Sequence, residues 1–306
     1  MRDYIDYIDF RSIKLGDIAY EVGDYKLAYE SYCKALERLK KYQGDRMQPI
    51  SIAGSLRKKI ETLASKQSRS NAVLQFETWK LSKSSFVKGE RCTKYLFLDK
   101  YKKNKRTPFD KEKLQLFSKG HSFESHFRES EFPNGINIKE KVGNFDYFNS
   151  YTKFLLDKFI DKPLYEATII EDGVLVMCDV LSIDKDGQVD IYEVKLNYKM
   201  NDTILNDLAI QYYVCKKRFG GKLRSFNLVL VNNDDEKNYK TKELSAELDK
   251  QIDNVNKKIT GFKSVLKGNE PVVEMGNHCH KPYDCEFIKY CENLGNENLL
   301  YFKVVS

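Results

Sequence analysis

Between residues 15 and 37, small and aromatic side chains recur at helical spacing: Gly16, Tyr20, Gly23, Tyr25, Ala28, Tyr32 and Ala35. This pattern predicts two antiparallel helices, with the small residues allowing close approach and the tyrosines filling the gaps. A third helix, expected near Ile50 to Ser65, completes an all-α appendage over residues 1–75, and "SKQSRSN" (Ser65 to Asn71) reads as a polar linker. The texture then changes. Leu114 to Ser130 has helical spacing with Leu114, Phe117, Phe123 and Phe127 on one side, until Pro133 and Gly135 break it. Three strands are predicted at Leu164 to Glu171, Val174 to Ile183 and Gln188 to Leu196, joined by the hairpin signals Asp172-Gly173 and Lys185 to Gly187. A helix at Asn206 to Arg218, a strand at Phe226 to Val231 and a long charged helix at Lys242 to Leu266 follow. This order predicts an α/β fold for residues 76–306, a central mixed sheet flanked by helices.

Charge changes the picture in one place. Lys83 to Lys119 holds twelve Lys/Arg against four Asp/Glu, a local balance of +8 in a chain whose total is +7. Phe86, Tyr95, Phe97, Tyr101 and Phe109 are interleaved with it, which suits a groove for phosphates and bases; a merely solvated face is the plainer alternative. The candidate nucleic-acid contacts are Lys83, Lys88, Arg91, Lys94, Tyr95 and, further on, Tyr212. No apolar run reaches eighteen residues and the N-terminus lacks the apolar core of a secretory signal, so a cytoplasmic location without a membrane partner is expected. The N-terminal pattern resembles one tetratricopeptide repeat. That resemblance implies a docking surface for a protein partner, against the plainer reading of a helical appendage with none.

Seven cysteines divide into two sets. Cys33, Cys178 and Cys215 lie in apolar periodic segments and read as core side chains. Cys279, Cys285 and Cys291 are each six positions apart, and Cys92 lies far upstream; in a reducing compartment such a set points to metal ligation. Three of them with His278 or His280 would also make a tetrahedral zinc site.

The sheet carries its own chemistry. In "DIYEVKL", Ile191, Glu193 and Lys195 share one face and Tyr192, Val194 and Leu196 the other, with the second parity expected in the core. A Glu193–Lys195 salt bridge would be a purely structural use of that face. Asp179 interrupts an otherwise apolar strand, however, and an unpaired buried carboxylate costs several kcal/mol. A hard divalent cation, Mg²⁺ or Mn²⁺, held between Asp179 and Glu193 relieves that cost and can activate water beside Lys195.

Asp179, thirteen intervening residues, then Glu193-Val194-Lys195 resembles the PD-(D/E)XK nuclease superfamily, with Cys178 where proline is usual. The resemblance implies a restriction-endonuclease-like core. It makes Asp179, Glu193 and the Val194 carbonyl metal ligands and Lys195 the catalytic lysine. "NDLAIQYYVC" resembles the RecB-like branch and maps its glutamine onto Gln211, followed by Tyr212 or Tyr213. The helix "FSKGHSFESHFRES" offers His121 or Glu124 as a further ligand. Within that branch, iron–sulfur nucleases of the AddB and CRISPR-adaptation type bracket the domain with four cysteines. "LSKSSFVKGERCTKYLFLDKY" and "GNHCHKPYDCEFIKYC" match such segments, which implies that Cys92, Cys279, Cys285 and Cys291 hold a [4Fe–4S] cluster. The implied activity is hydrolysis of phosphodiester bonds in DNA, at single-stranded ends as an exonuclease. The competing expectation is a DNA-binding scaffold on a nuclease-like fold.

Overall fold

The computed structural model describes residues 3–109, 111–158, 160–232, 235–281 and 283–294. The C-terminal "ENLLYFKVVS", residues 297–306, reads as native chain rather than a tag and lies outside the described residues. The chain is mixed α/β: the described strands form a seven-stranded mixed sheet in the order β2-β3-β4-β5-β6-β7, with β1 beside β4, and helices flank it. The elements in chain order are α1 (Phe10–Glu21), α2 (Tyr25–Leu39), α3 (Met47–Ala64), β1 (Leu81–Ser82), α4 (Lys83–Arg91), α5 (Thr93–Tyr101) and α6 (Lys111–Glu131). Next come β2 (Ile136–Asn137), α7 (Ile138–Val142), α8 (Phe148–Asp157), β3 (Leu164–Glu171), β4 (Val174–Ile183) and β5 (Val189–Lys195). The series closes with α9 (Asp202–Phe219), β6 (Leu223–Asn232), β7 (Asp235–Glu243), α10 (Ser245–Asp249) and α11 (Ile252–Val265). No described helix is long and apolar enough to cross a membrane.

By compactness the chain divides into two units that alternate along the sequence. The first comprises residues 1–78, 133–169 and 178–189, and the second residues 79–132, 170–177 and 190–306. The first switch, at Thr78, falls close to the boundary expected near residue 75.

In the first unit the helical hairpin forms as its spacing requires. A Cβ added to Gly16 would sit 2.5 Å from the Tyr32 ring, so only glycine admits that packing. Asp24 caps α2, accepting from the Leu27 amide, and its other oxygen accepts from the amides of Val73 and Leu74. The hairpin is no isolated appendage. Lys14 on α1 donates to the Glu140 carbonyl of α7, so helices far apart in sequence share one core.

In the second unit α9 is the central helix, buried from Leu208 through Cys215. The Asp172-Gly173 turn has both residues at positive φ, +50° and +67°, the type I′ geometry that this dipeptide favours. Three expectations need correction. The segment expected as one helix from Lys242 to Leu266 is divided: Lys242 and Glu243 end β7, a strand over 235–243 that the sequence did not show, antiparallel to β6 from Asn227↔Glu243 to Asn232↔Asp235, and the rest forms α10 and α11. The apolar stripe of α6 is only half used; Phe123 and Phe127 are buried, but Leu114 and Phe117 are exposed. Of the three cysteines read as core, Cys178 and Cys215 are fully buried and Cys33 half-buried.

Candidate functional site

The site grows from β5 and the two helices over it. Its face is the reverse of the simple parity argument: Glu193 is 1% exposed, whereas Tyr192, on the parity expected in the core, is half-buried. Helix α4 begins where Ser82 accepts from the Ser85 amide and Ser85 Oγ in turn accepts from the Ser82 amide. β1 pairs in parallel with β4 just before this box (Leu81↔Val174), which fixes Lys83 at the first helical position. The Lys83 ammonium then donates to Glu193 Oε1 at 2.6 Å and to the Gln211 carbonyl oxygen at 2.8 Å. Lys195 Nζ donates to the same Glu193 oxygen at 2.7 Å, and the Gln211 amide donates to Glu193 Oε2 at 2.8 Å.

A second carboxylate joins this group. Asp207, one turn before Gln211 on α9, lies 2.7 Å from Lys195 Nζ and 3.6 Å from Lys83 Nζ. Two ammonium groups and two carboxylates therefore share a largely buried space. Burial opposes ionisation of Glu193, but Lys195 and Lys83 outweigh it, so its pKa lies below the ordinary glutamate value. The same balance, with Lys83 and Lys195 against burial, holds the Asp207 carboxyl below its usual range. The sequence predicted Glu193, Lys195 and Gln211 together. It missed Asp207, whose only signal was its place one helical turn from Gln211, and it placed Lys83 on nucleic acid rather than here.

Asp179 is half-buried on β4, in the stretch belonging to the first unit. Glu124 pairs within α6 with Arg128, and His121, itself largely exposed, lies 3.8 Å from Glu124. Neither tyrosine after Gln211 points at Glu193: the Tyr212 hydroxyl donates to Asp249, and the Tyr213 hydroxyl to Asn256 and Asp172. Val194, whose backbone carbonyl was the implied ligand, has its side chain buried in the sheet.

The basic segment is cross-linked rather than open. Lys88 pairs with Asp99 at 2.8 Å, Lys94 and Lys102 pair with Glu270, and the buried Tyr95 hydroxyl donates to Glu286 at 2.6 Å. Burial, with Arg106 close by, pulls the Lys88 ammonium down to about 8. Arg91 donates through Nε and Nη2 to the carbonyls of His278, Cys279 and Tyr283. Arg91, Lys94 and Tyr95, expected to grip nucleic acid, hold α4 and α5 to the C-terminal part of the chain, and Lys102 joins them through Glu270.

That loop carries the cysteines. Cys92, Cys279, Cys285 and Cys291 line one narrow cavity with His278, Arg91 and Lys94, against a small core of Tyr95, Leu98 and Phe287. Cys92 and Cys279, with 186 residues between them in sequence, thus line the same cavity. His280 turns instead to Asp284 at 3.0 Å, while His278 lies 3.6 Å from Cys279 Sγ. Burial pushes the Cys285 and Cys291 thiols up. Among the described residues no three His, Cys, Asp or Glu side chains converge as ligands of a single metal ion.

No protein-family model matches the chain, and no curated protein matches it either.

Proposed function

We propose that the chain is a divalent-metal-dependent nuclease with a PD-(D/E)XK-type core, hydrolysing phosphodiester bonds of DNA at single-stranded ends. The observation that supports this best is the fully buried Glu193 carboxylate on a sheet strand, met by Lys195, Lys83 and Gln211 with Asp207 alongside. Carboxylate oxygens are the donors that Mg²⁺ or Mn²⁺ prefers. Glu193 and Asp207 would hold the ion, and the sequence resemblance adds Asp179 and the Val194 carbonyl. When bound, such an ion supplies Lewis acidity and a water of lowered pKa. The remaining chemistry belongs to the chain: Lys195 stabilises the negative charge developing on the phosphoryl oxygens, and Gln211 holds Glu193 in place. The water oxygen forms the new bond to phosphorus, the ester oxygen leaves, and a proton passes to it.

The cysteine cavity supports an iron–sulfur cluster on Cys92, Cys279, Cys285 and Cys291. Four thiols line one cavity, the donor set that an iron–sulfur cluster takes. Arg91, which lines that space, keeps its buried Nη1 without a hydrogen-bond partner, and cluster-bound thiolates would supply acceptors. Zinc on three cysteines and His278 is the competing occupant.

The test is degradation of an end-labelled single strand with Mn²⁺ by the full chain and by Lys195→Ala. We expect the variant to lose about 100-fold or more in rate. A second reading rests on the electrical closure of the two-lysine, two-carboxylate group, which needs no ion to be stable: a scaffold that grips DNA. Binding without cleavage by both proteins would establish it.

A further inference from the structure

A cleft of about 320 Å³ opens in the second unit, lined by Val87, Lys88, Glu90, Arg91, Thr203, Asn206, Lys281 and Tyr283 among others. Two of its lining residues stand on the helices that carry the carboxylate group: Asn206 precedes Asp207 on α9, and Val87 is one helical turn beyond Lys83 on α4. The cysteine loop also lines it, through His278, Lys281 and Tyr283. Three cations therefore border one concave space beside the proposed reacting centre, and the single acid there, Glu90, is already paired with Lys258. Lys88 and Arg91 are partly committed to Asp99 and to the loop carbonyls. Lys281 is exposed and has no acidic partner among the described residues. Tyr283 lies half-exposed with the Arg91 guanidinium 5.0 Å and the Lys113 ammonium 4.3 Å from its ring centre, an aromatic edge flanked by two positive charges.

We propose that this cleft seats the backbone of a single-stranded nucleic acid, with Lys281 contacting a phosphate and Tyr283 stacking a base, next to the phosphate cut at Glu193. The inference rests on the nuclease reading for the phosphate cut at Glu193 but not for its binding. It gives the cysteine loop a second role, since the loop that closes the fold also forms one wall of the substrate channel. Arg91 couples the two, because its bonds to His278, Cys279 and Tyr283 set the wall's position.

The experiment measures anisotropy of a labelled twenty-nucleotide oligothymidine with the full-length protein purified without oxygen, in EDTA so that nothing is cut. Lys281→Ala and Tyr283→Ala should each weaken binding roughly 3- to 10-fold, with unchanged iron and zinc content and circular dichroism. Lys281→Ala should also lower the slope of log affinity against log salt by about 0.7, one phosphate's share on a single strand. Lys281→Arg should restore affinity, and Lys289→Ala, outside the cleft, should leave it unchanged. Equal affinity and salt slope for wild type and Lys281→Glu overturns the proposal, as does absence of binding by the wild type. Binding that depends on Lys281 without any cleavage in Mn²⁺ sinks the nuclease reading and leaves the cleft standing. Cleavage indifferent to Lys281 and Tyr283 does the opposite.

Discussion

Glu193 is the residue on which the site turns, because a carboxylate this deep stays ionised only while its ammonium partners remain. Removing one of them by Lys83→Met leaves Glu193 and Asp207 to share Lys195. The cost expected of breaking a buried ion pair is about 3 kcal/mol, read from the urea midpoint. The pH dependence has a fixed sign. Both carboxyl pKa values lie below their unfolded counterparts, so the stabilisation is complete above about pH 4–5 and is lost as pH falls through the lower folded values. Urea titrations across the acid range should show this decline in wild type and a shallower one in Asp207→Asn. An equal slope in both would remove Asp207 from the group.

At the scale of elements, the N-terminal hairpin depends on one contact and one cap. Gly16→Val forces the Tyr32 ring away from α1, against its hydroxyl bond to Asp17, and should cost about 1–3 kcal/mol. Asp24→Ala removes a helix cap and strands the amides of Val73 and Leu74, with an expected loss of about 2–3 kcal/mol. Thermal melts of both variants followed by circular dichroism test this. Neither loss would appear if the hairpin were a loose appendage. The elements read correctly from sequence were those with local instructions. β3 and β4 are bounded as expected because Asp172-Gly173 dictates a type I′ turn wherever it stands. β7 is missed in the sequence because residues 235–241 show no apolar alternation and fall in no expected element, while Lys242 and Glu243 fall in the helix expected after them; pairing along β6 makes the segment a strand at the edge of the sheet.

At the scale of the whole molecule, one cavity brings Cys92 together with Cys279, Cys285 and Cys291. Iron analysis and visible absorption of protein purified without oxygen should show a four-iron cluster, absent in Cys92→Ser. That variant should also unfold at lower temperature, since a crosslink across so long a loop restricts the unfolded chain. A variant that keeps full metal content would instead assign zinc to Cys279, Cys285, Cys291 and His278.

The chain's own order of residues determined its local states and the spacing of its chemistry: the glycine that admits Tyr32, the Asp-Gly turn, Glu193 two positions from Lys195 and the evenly spaced thiols. These depend on backbone preference and on neighbours a few residues away. The tertiary structure decided which charges meet. Lys83 and Asp207 joined Glu193, and Lys94, Lys102 and Tyr95 found Glu270 and Glu286, because electrostatic partners are chosen by distance in space after folding and burial makes each choice costly to undo.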